Sequence, residues 1–402
     1  MSTRDGLGNV AIVPIDTTGP LSCLHPVVPV PEEQCQQAAR TGRLPAVNSL
    51  KADHLMTHSE IDLSGLLRLW DASCQPNGPA QPPSQPGFSG ANVWRIETAR
   101  GPLAVRGWPH PGLPRRRIEG LHQLLDHVGA SVPVAIPIPT SNGDRLARWN
   151  QQLWQLEPWM PGVADFHDNP SPERLSEAIK TLASFHRSAR EFAPGDETRE
   201  WFGSSDSQRS PAVTERLEQL DGWGHRWNEL VARALRVTGQ AEECSRAIEE
   251  IDNLFRRGRG WIGDQLAMVE TTTFRCQPCL RDVWHDHLLW TGDHVTGLVD
   301  PGSCRIDNVA IDLARLLGSL VEDDVDGWEL GLSTYEREAG LSLEETGLVT
   351  VLDQSGVLMA GAVWIERLAM GRVETGWTTR IGRKLAEVAR RMRALSGRVG
   401  LE

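Results

Sequence analysis

Residues 280–317 read LRDVWHDHLLWTGDHVTGLVDPGSCRIDNVAIDLARLL, and the order of carboxylates in this stretch decides the fold. Two apolar runs, His287–Trp290 and Val295–Val299, flank Thr291-Gly-Asp-His294. That arrangement predicts a β-hairpin. Asp282 stands before the hairpin, Asp300 follows it eighteen residues on, and Asp312 opens a helical pattern. Phosphoryl transfer asks for a similar kit. One carboxylate orients and deprotonates the acceptor hydroxyl, metal ligands sit five residues later and beyond the next hairpin, and a cation holds the phosphates.

The stretch resembles the aminoglycoside/choline phosphotransferase family, whose pattern is HGDxHxxN, a hairpin, IDW or IDF, and then GDPxxDLA. The match runs in order and spacing from Arg281 to Leu317, and Arg281-Asp282 with Asp300-Pro-Gly302 also looks like the RD and DFG pieces of protein kinases. The resemblance implies Asp282 as catalytic base, Asp300 and His287 as metal ligands, and Asp312 as a brace of the catalytic loop. There are two departures: Leu280 and Arg281 replace the His-Gly of the pattern, and His287 replaces the metal-ligating Asn. Imidazole is a poorer partner for Mg²⁺ than an oxygen ligand, and the neighbouring Asp286 offers oxygens. Asp282 and Asp300 also read as turn-forming aspartates, and His285 and His287 as solvated loop residues.

On the nucleotide side, Gly87-Phe-Ser89-Gly90 precedes a strand pair, Ala91–Thr98 and Leu103–Trp108, and offers backbone N–H groups to phosphates. Arg106 stands where kinases carry the lysine of V-A-I-K, and Glu119 of the helix expected over 114–128 is its implied partner. Leu153–Gly162 resembles the hinge strand, which implies the Pro158 carbonyl and the Met160 N–H as adenine contacts. Further strands are expected over 132–139 and 144–156, around the turn signal Asn142-Gly143.

The rest of the chain fits this plan. Residues 1–45 read as a poorly ordered tail, and 46–86 as a helical segment with a proline-rich linker, CQPNGPAQPPSQPG at 74–87. Residues 87–162 read as the nucleotide-binding N-lobe and 163–402 as a helical C-lobe. Helices are expected after the Ser171-Pro172 cap, over 212–236 and 240–257, and over 342–353 and 358–396. The expected fold is therefore α+β and two-lobed, like a protein kinase, with a small antiparallel-sheet N-lobe carrying one helix and a larger, mainly helical C-lobe.

A net charge of −12 argues against nucleic acid or an anionic membrane as the main partner. The seven cysteines include one CxxC pair, Cys276 and Cys279, with no second pair to complete a zinc site. No apolar run approaching a membrane span and no secretory leader is read, so a cytoplasmic protein is expected. The resemblance implies ATP and Mg²⁺, with Mn²⁺ as the alternative ion, and a hydroxylated small molecule as acceptor (an amino-alcohol, sugar or aminoglycoside-like compound). The acidic run 322–326 would attract a cationic acceptor. The competing reading is a pseudokinase that binds nucleotide with little transfer.

Overall fold

The computed structural model describes residues 63–82, 92–109, 112–239, 241–371 and 378–401. These fall into two compact units, one drawn from 63–115 and 137–159, the other from 116–136 and 160–401.

The first unit holds a short helix α1 (Leu63–Leu67) and a four-stranded antiparallel sheet. Its strands are β1 (Asn92–Thr98), β2 (Gly101–Gly107), β3 (Ala147–Trp149) and β4 (Gln152–Pro158), in the order β1-β2-β4-β3. Alternation puts Trp94, Ile96, Leu103, Val105, Trp154 and Leu156 into one core with Leu66, Leu67 and Trp70 of the preceding segment. The Trp70 indole N–H would be costly to bury unpaired, and it donates to the Ile138 carbonyl at 2.9 Å. The described part of the proline-rich segment runs along β1, where Gln81 exchanges backbone hydrogen bonds with Arg95 at 2.8 Å. Gly107 is required by packing, since a Cβ there would lie 2.8 Å from the Trp154 ring.

Two local expectations fail for identifiable reasons. Residues 144–156 form two strands, not one, because Asn150 and Gln151 take φ of 48° and 64° and make a tight hairpin turn. Residues 132–139 form no strand. Pro133, Pro137 and Pro139 lack the N–H groups of a ladder, and only isolated contacts survive, such as Ile138 N–H to the Leu156 carbonyl at 2.7 Å.

The second unit begins with α2 (Arg115–Val128), whose Ile118, Leu121, Leu124, Leu125 and Val128 are buried on one face. Then come α3 (Pro172–Glu191), the single turn α4 (Arg199–Phe202), β5 (Ser205–Arg209), α5 (Pro211–Thr238), α6 (Glu242–Glu270) and β6 (Thr273–Cys279). The Ser171 hydroxyl caps α3 by accepting from the Arg174 N–H at 3.2 Å. After β6 the hairpin β7 (Leu288–Thr291) and β8 (His294–Leu298) forms where the sequence placed it. β9 (Arg305–Asp307) pairs with the far side of β6. Helices α7 (Ala310–Leu320), α8 (Val325–Ala339), α9 (Leu343–Ala369) and α10 (Thr378–Arg398) complete the unit.

The expected helices at 342–353 and 358–396 divide elsewhere, because α9 runs unbroken through Ser355-Gly356. It starts at a capping box, with the Ser342 hydroxyl on the Glu345 N–H and the Glu345 carboxylate on the Ser342 N–H. By length and composition α9 is apolar enough to cross a membrane, yet 83% of its most apolar window is buried inside the unit. It is a core helix, packed by α5, α6, α7 and α10. Trp223, Trp227, Trp328 and Trp364 are likewise core residues.

Candidate active site

The loop 280–287 is hung from β6 at one end and from the hairpin at the other. Its fixed point is Asp312, at the start of α7 and wholly buried. One carboxylate oxygen accepts from the Leu280 N–H at 2.6 Å and lies 3.0 Å from His186 Nε2; the other accepts from the Arg281 N–H at 2.6 Å. A buried carboxylate is tolerated when its lone pairs are met in this way. His186 Nδ1 in turn lies 2.8 Å from the hydroxyl of Tyr335, the single tyrosine of the chain. Burial raises the tyrosine's pKa well above its ordinary value, so the hydroxyl keeps its proton.

Arg281 has φ of 61°, the left-handed region that side chains usually avoid. Its guanidinium is held by Glu215 at 2.7 and 3.2 Å and by Asp307 at 3.2 Å. Burial alone would lower its pKa, but the two carboxylates outweigh that and raise it. Asp307 also accepts from the Ser210 hydroxyl, the Ala212 N–H and the Asn308 N–H. Glu215 is shared with Arg305 at 2.6 Å. Burial pushes Arg305 down to about 10, with the Arg281 charge adding to the effect.

Asp282 follows directly and is 4% exposed. Its Oδ1 accepts from Arg315 at 2.5 and 2.9 Å, one turn along α7 from Asp312. The Asp282 carbonyl lies 2.7 Å from His287 Nδ1, and Trp284 Nε1 lies 2.8 Å from His287 Nε2. The His287 carbonyl accepts from the Val299 N–H at 3.0 Å, which carries the loop to the start of Asp300. Asp300 has φ of 56° and ψ of 55°, a strained conformation for a non-glycine residue of the kind found at functional sites. Asp286 is half exposed, and burial of its other half raises its pKa. His285 is pushed down to about 3 by burial and by the neighbouring His167, and its Nδ1 has no hydrogen-bond partner.

These contacts bear on the divalent cation that the motif implies. Asp300 follows the hairpin and carries a carboxylate, the ligand type that suits a hard cation. His287 does not fit as held, because both ring nitrogens are engaged. Among the described residues, one His/Cys/Asp/Glu trio comes within 4.8 Å of itself, namely His186, Cys279 and Asp312. Its donor atoms are spent on the brace, and the Cys279 thiol lies 3.3 Å from the Asp307 carbonyl. Burial raises the thiols of Cys276 (to about 12) and Cys279, which leaves both inert in β6.

In the first unit Arg106 Nε lies 3.1 Å from Glu157 Oε1, with both side chains nearly buried. Register explains the pair, since Arg106 lies opposite Gln155 and diagonal to Glu157. Gln155 ties Glu157 to the Trp108 indole at 2.5 and 2.8 Å. Glu119, on α2, belongs to the other unit. Pro158 ends β4 opposite Leu103, and the next N–H, of Trp159, donates to the Pro102 carbonyl at 3.0 Å. Met160 packs over Gly297 of β8. Gly87, Ser89 and Gly90 lie outside the described residues.

Sequence reasoning missed Arg315, Trp284, Glu215 and Glu157. Arg315 had a usable signal, since it lies three residues after Asp312 and so on the same helix face. The acidic run 322–326 is largely spent internally. Arg390 pairs with Glu322 at 3.1 Å, Arg398 pairs with Asp323, and Asp324 caps α8.

Among curated proteins, none matches the chain significantly. Solved structures match at low identity and share the fold. An aminoglycoside phosphotransferase from Alicyclobacillus acidocaldarius is 16% identical, with a TM-score of 0.55 over 89% of this chain and 98% of its own. An amicoumacin kinase in complex with AMP-PNP, Ca²⁺ and Ami is 11% identical, with a TM-score of 0.57 over 83% and 93%. A spectinomycin phosphotransferase in complex with ADP and spectinomycin is 12% identical, with a TM-score of 0.53 over 79% and 93%. The sequence profile described as "Phosphotransferase enzyme family" matches residues 81–345, well over half of the chain. A match of that extent shows that the chain belongs to the phosphotransferase enzyme family.

Proposed function

We infer that the protein transfers the γ-phosphoryl group of ATP to a hydroxyl of a small molecule, with Asp282 as the base. The observation that carries this is the fixed Asp282. Its backbone is held through Leu280 and Arg281 to Asp312, and its carboxylate is held by Arg315. A base that must meet a hydroxyl in one orientation gains from such rigidity. Asp300 would hold the divalent cation on the phosphates. Arg106, steadied by Glu157, would hold the phosphates themselves, with Gly87, Ser89 and Gly90 supplying N–H groups and Glu119 assisting. The Pro158 carbonyl and the Met160 N–H would take the adenine edge.

When bound, the cation neutralises charge developing on the phosphate oxygens. The chain's own part is to place the acceptor hydroxyl against Asp282, accept its proton at the carboxylate, and exclude water. The kinase neighbours in complex with AMP-PNP and Ca²⁺, or with ADP, support a nucleotide with a divalent ion here.

A second reading, nucleotide binding with little transfer, is favoured by one observation: His287 is engaged in the loop where the family pattern places a metal ligand. A melting-temperature panel of ATP, GTP and ADP with and without Mg²⁺ or Mn²⁺ separates the outcomes, followed by ADP release over amino-alcohols, sugars and aminoglycosides. Stabilisation with turnover supports transfer, stabilisation alone supports the second reading, and no stabilisation by any nucleotide refutes both.

A further inference from the structure

His287 is held by two contacts that together fix its protons. The indole nitrogen of Trp284 can only donate, so His287 Nε2, 2.8 Å away, must accept. The Asp282 carbonyl can only accept, so His287 Nδ1, 2.7 Å away, must donate. A single neutral tautomer satisfies both. The lone pair of Nε2, the one a cation would take from this imidazole, is therefore filled by Trp284. The two rings also pack edge to face, with centroids 5.4 Å apart, so the ring cannot turn without breaking both bonds and this contact. At the same time a guanidinium sits against the nearly buried Asp282 carboxylate, with Arg315 at 2.5 and 2.9 Å from Oδ1. A buried carboxylate needs a countercharge, and here the chain carries its own.

We propose that Trp284 is a positioning residue that locks His287 into the loop as a strut, so that the site takes one divalent cation per nucleotide, on Asp300. Kinases of this general plan use two, one on each ligand position. In this chain the second position is occupied by a hydrogen bond, and the fixed positive charge next to the base is Arg315. The inference rests on the phosphotransferase reading.

The test uses the full chain with AMP-PNP, counting bound Mn²⁺ by the loss of free-ion signal in electron paramagnetic resonance. The wild type is expected to bind one Mn²⁺ per nucleotide. Trp284→Phe removes the N–H while keeping the ring, and is expected to admit a second Mn²⁺ with at least tenfold tighter binding than in the wild type. His287→Asn is expected to do the same, which covers the case of a Trp284→Phe protein that fails to fold. Nitrogen-15 correlation spectra are expected to show His287 of the wild type with Nδ1 protonated and Nε2 bare, as the two hydrogen bonds require. Two Mn²⁺ in the wild type with one lost in His287→Ala, or a His287 protonated at Nε2, overturns this inference alone. A folded Trp284→Phe protein that still binds one Mn²⁺ overturns the role of Trp284. If the wild type binds no AMP-PNP, the phosphotransferase reading falls and this inference falls with it.

Discussion

Removing the Asp312 carboxylate should disable the loop through stability before it does so through chemistry. Asp312→Ala takes away the acceptor of two backbone N–H groups at 2.6 Å and the partner of His186 at 3.0 Å, in a site with no solvent access. Hydrogen bonds to a charged group are worth ~1.5–3 kcal/mol each, so three would sum to roughly 4.5–9. They share one carboxylate and are not additive, and deleting the group also removes its desolvation cost, so we expect a net loss of about 3–5 kcal/mol. For a unit of this size each kcal/mol lowers the melting temperature by about 2–4 °C, giving a fall on the order of 6–20 °C. The assay is urea and thermal unfolding beside Asp264→Asn, a solvent-exposed carboxylate of α6 whose change should stay within about 0.5 kcal/mol. A loss below about 1 kcal/mol for Asp312→Ala, or equal losses in the two variants, would refute the claim that this carboxylate holds the loop.

Gly107→Ala should cost about 1–3 kcal/mol in the first unit, because the new methyl falls 2.8 Å from the buried Trp154 ring; thermal unfolding measures it. His285 should make the protein sensitive to acid. The folded imidazole resists protonation down to about 3, while the unfolded one charges near 6.5. The unfolded chain therefore takes the proton first, and stability falls as pH drops from 6.5 towards 3, by up to ~1.4 kcal/mol per pH unit. His285→Asn should flatten that slope in unfolding titrations, and an unchanged slope would contradict the assignment.

The carboxylate order from Asp282 to Asp312 was readable because it lies in one continuous stretch that resembles the family pattern. The Ser171-Pro172 start of α3 was readable as another local signal. What His287 does was not readable. Its identity marked a departure from the family pattern, but its role depends on which way the Trp284 indole points, and no spacing encodes that. Glu157 as partner of Arg106 follows from the register of β2 against β4, two strands that are not consecutive in the chain, so no local turn signal encodes it. The proline-interrupted stretch 132–139 looked like a strand by its apolar residues, and lost that identity through the N–H groups it lacks. The helix α9 continues through Ser355-Gly356, where the sequence predicts a break, because two weak helix formers do not interrupt a helix that is buried on most sides.

The central claim is that Asp282 acts on the acceptor hydroxyl. Its most direct measurement is steady-state ADP release by the wild type and Asp282→Asn with ATP and Mg²⁺ or Mn²⁺, using the best acceptor from the panel and recording the AMP-PNP melting shift of both proteins. A positioned general base contributes ~10²–10⁴-fold. In Asp282→Asn kcat is expected to fall by that factor with the nucleotide-induced melting shift retained. Equal turnover in the two proteins would contradict it.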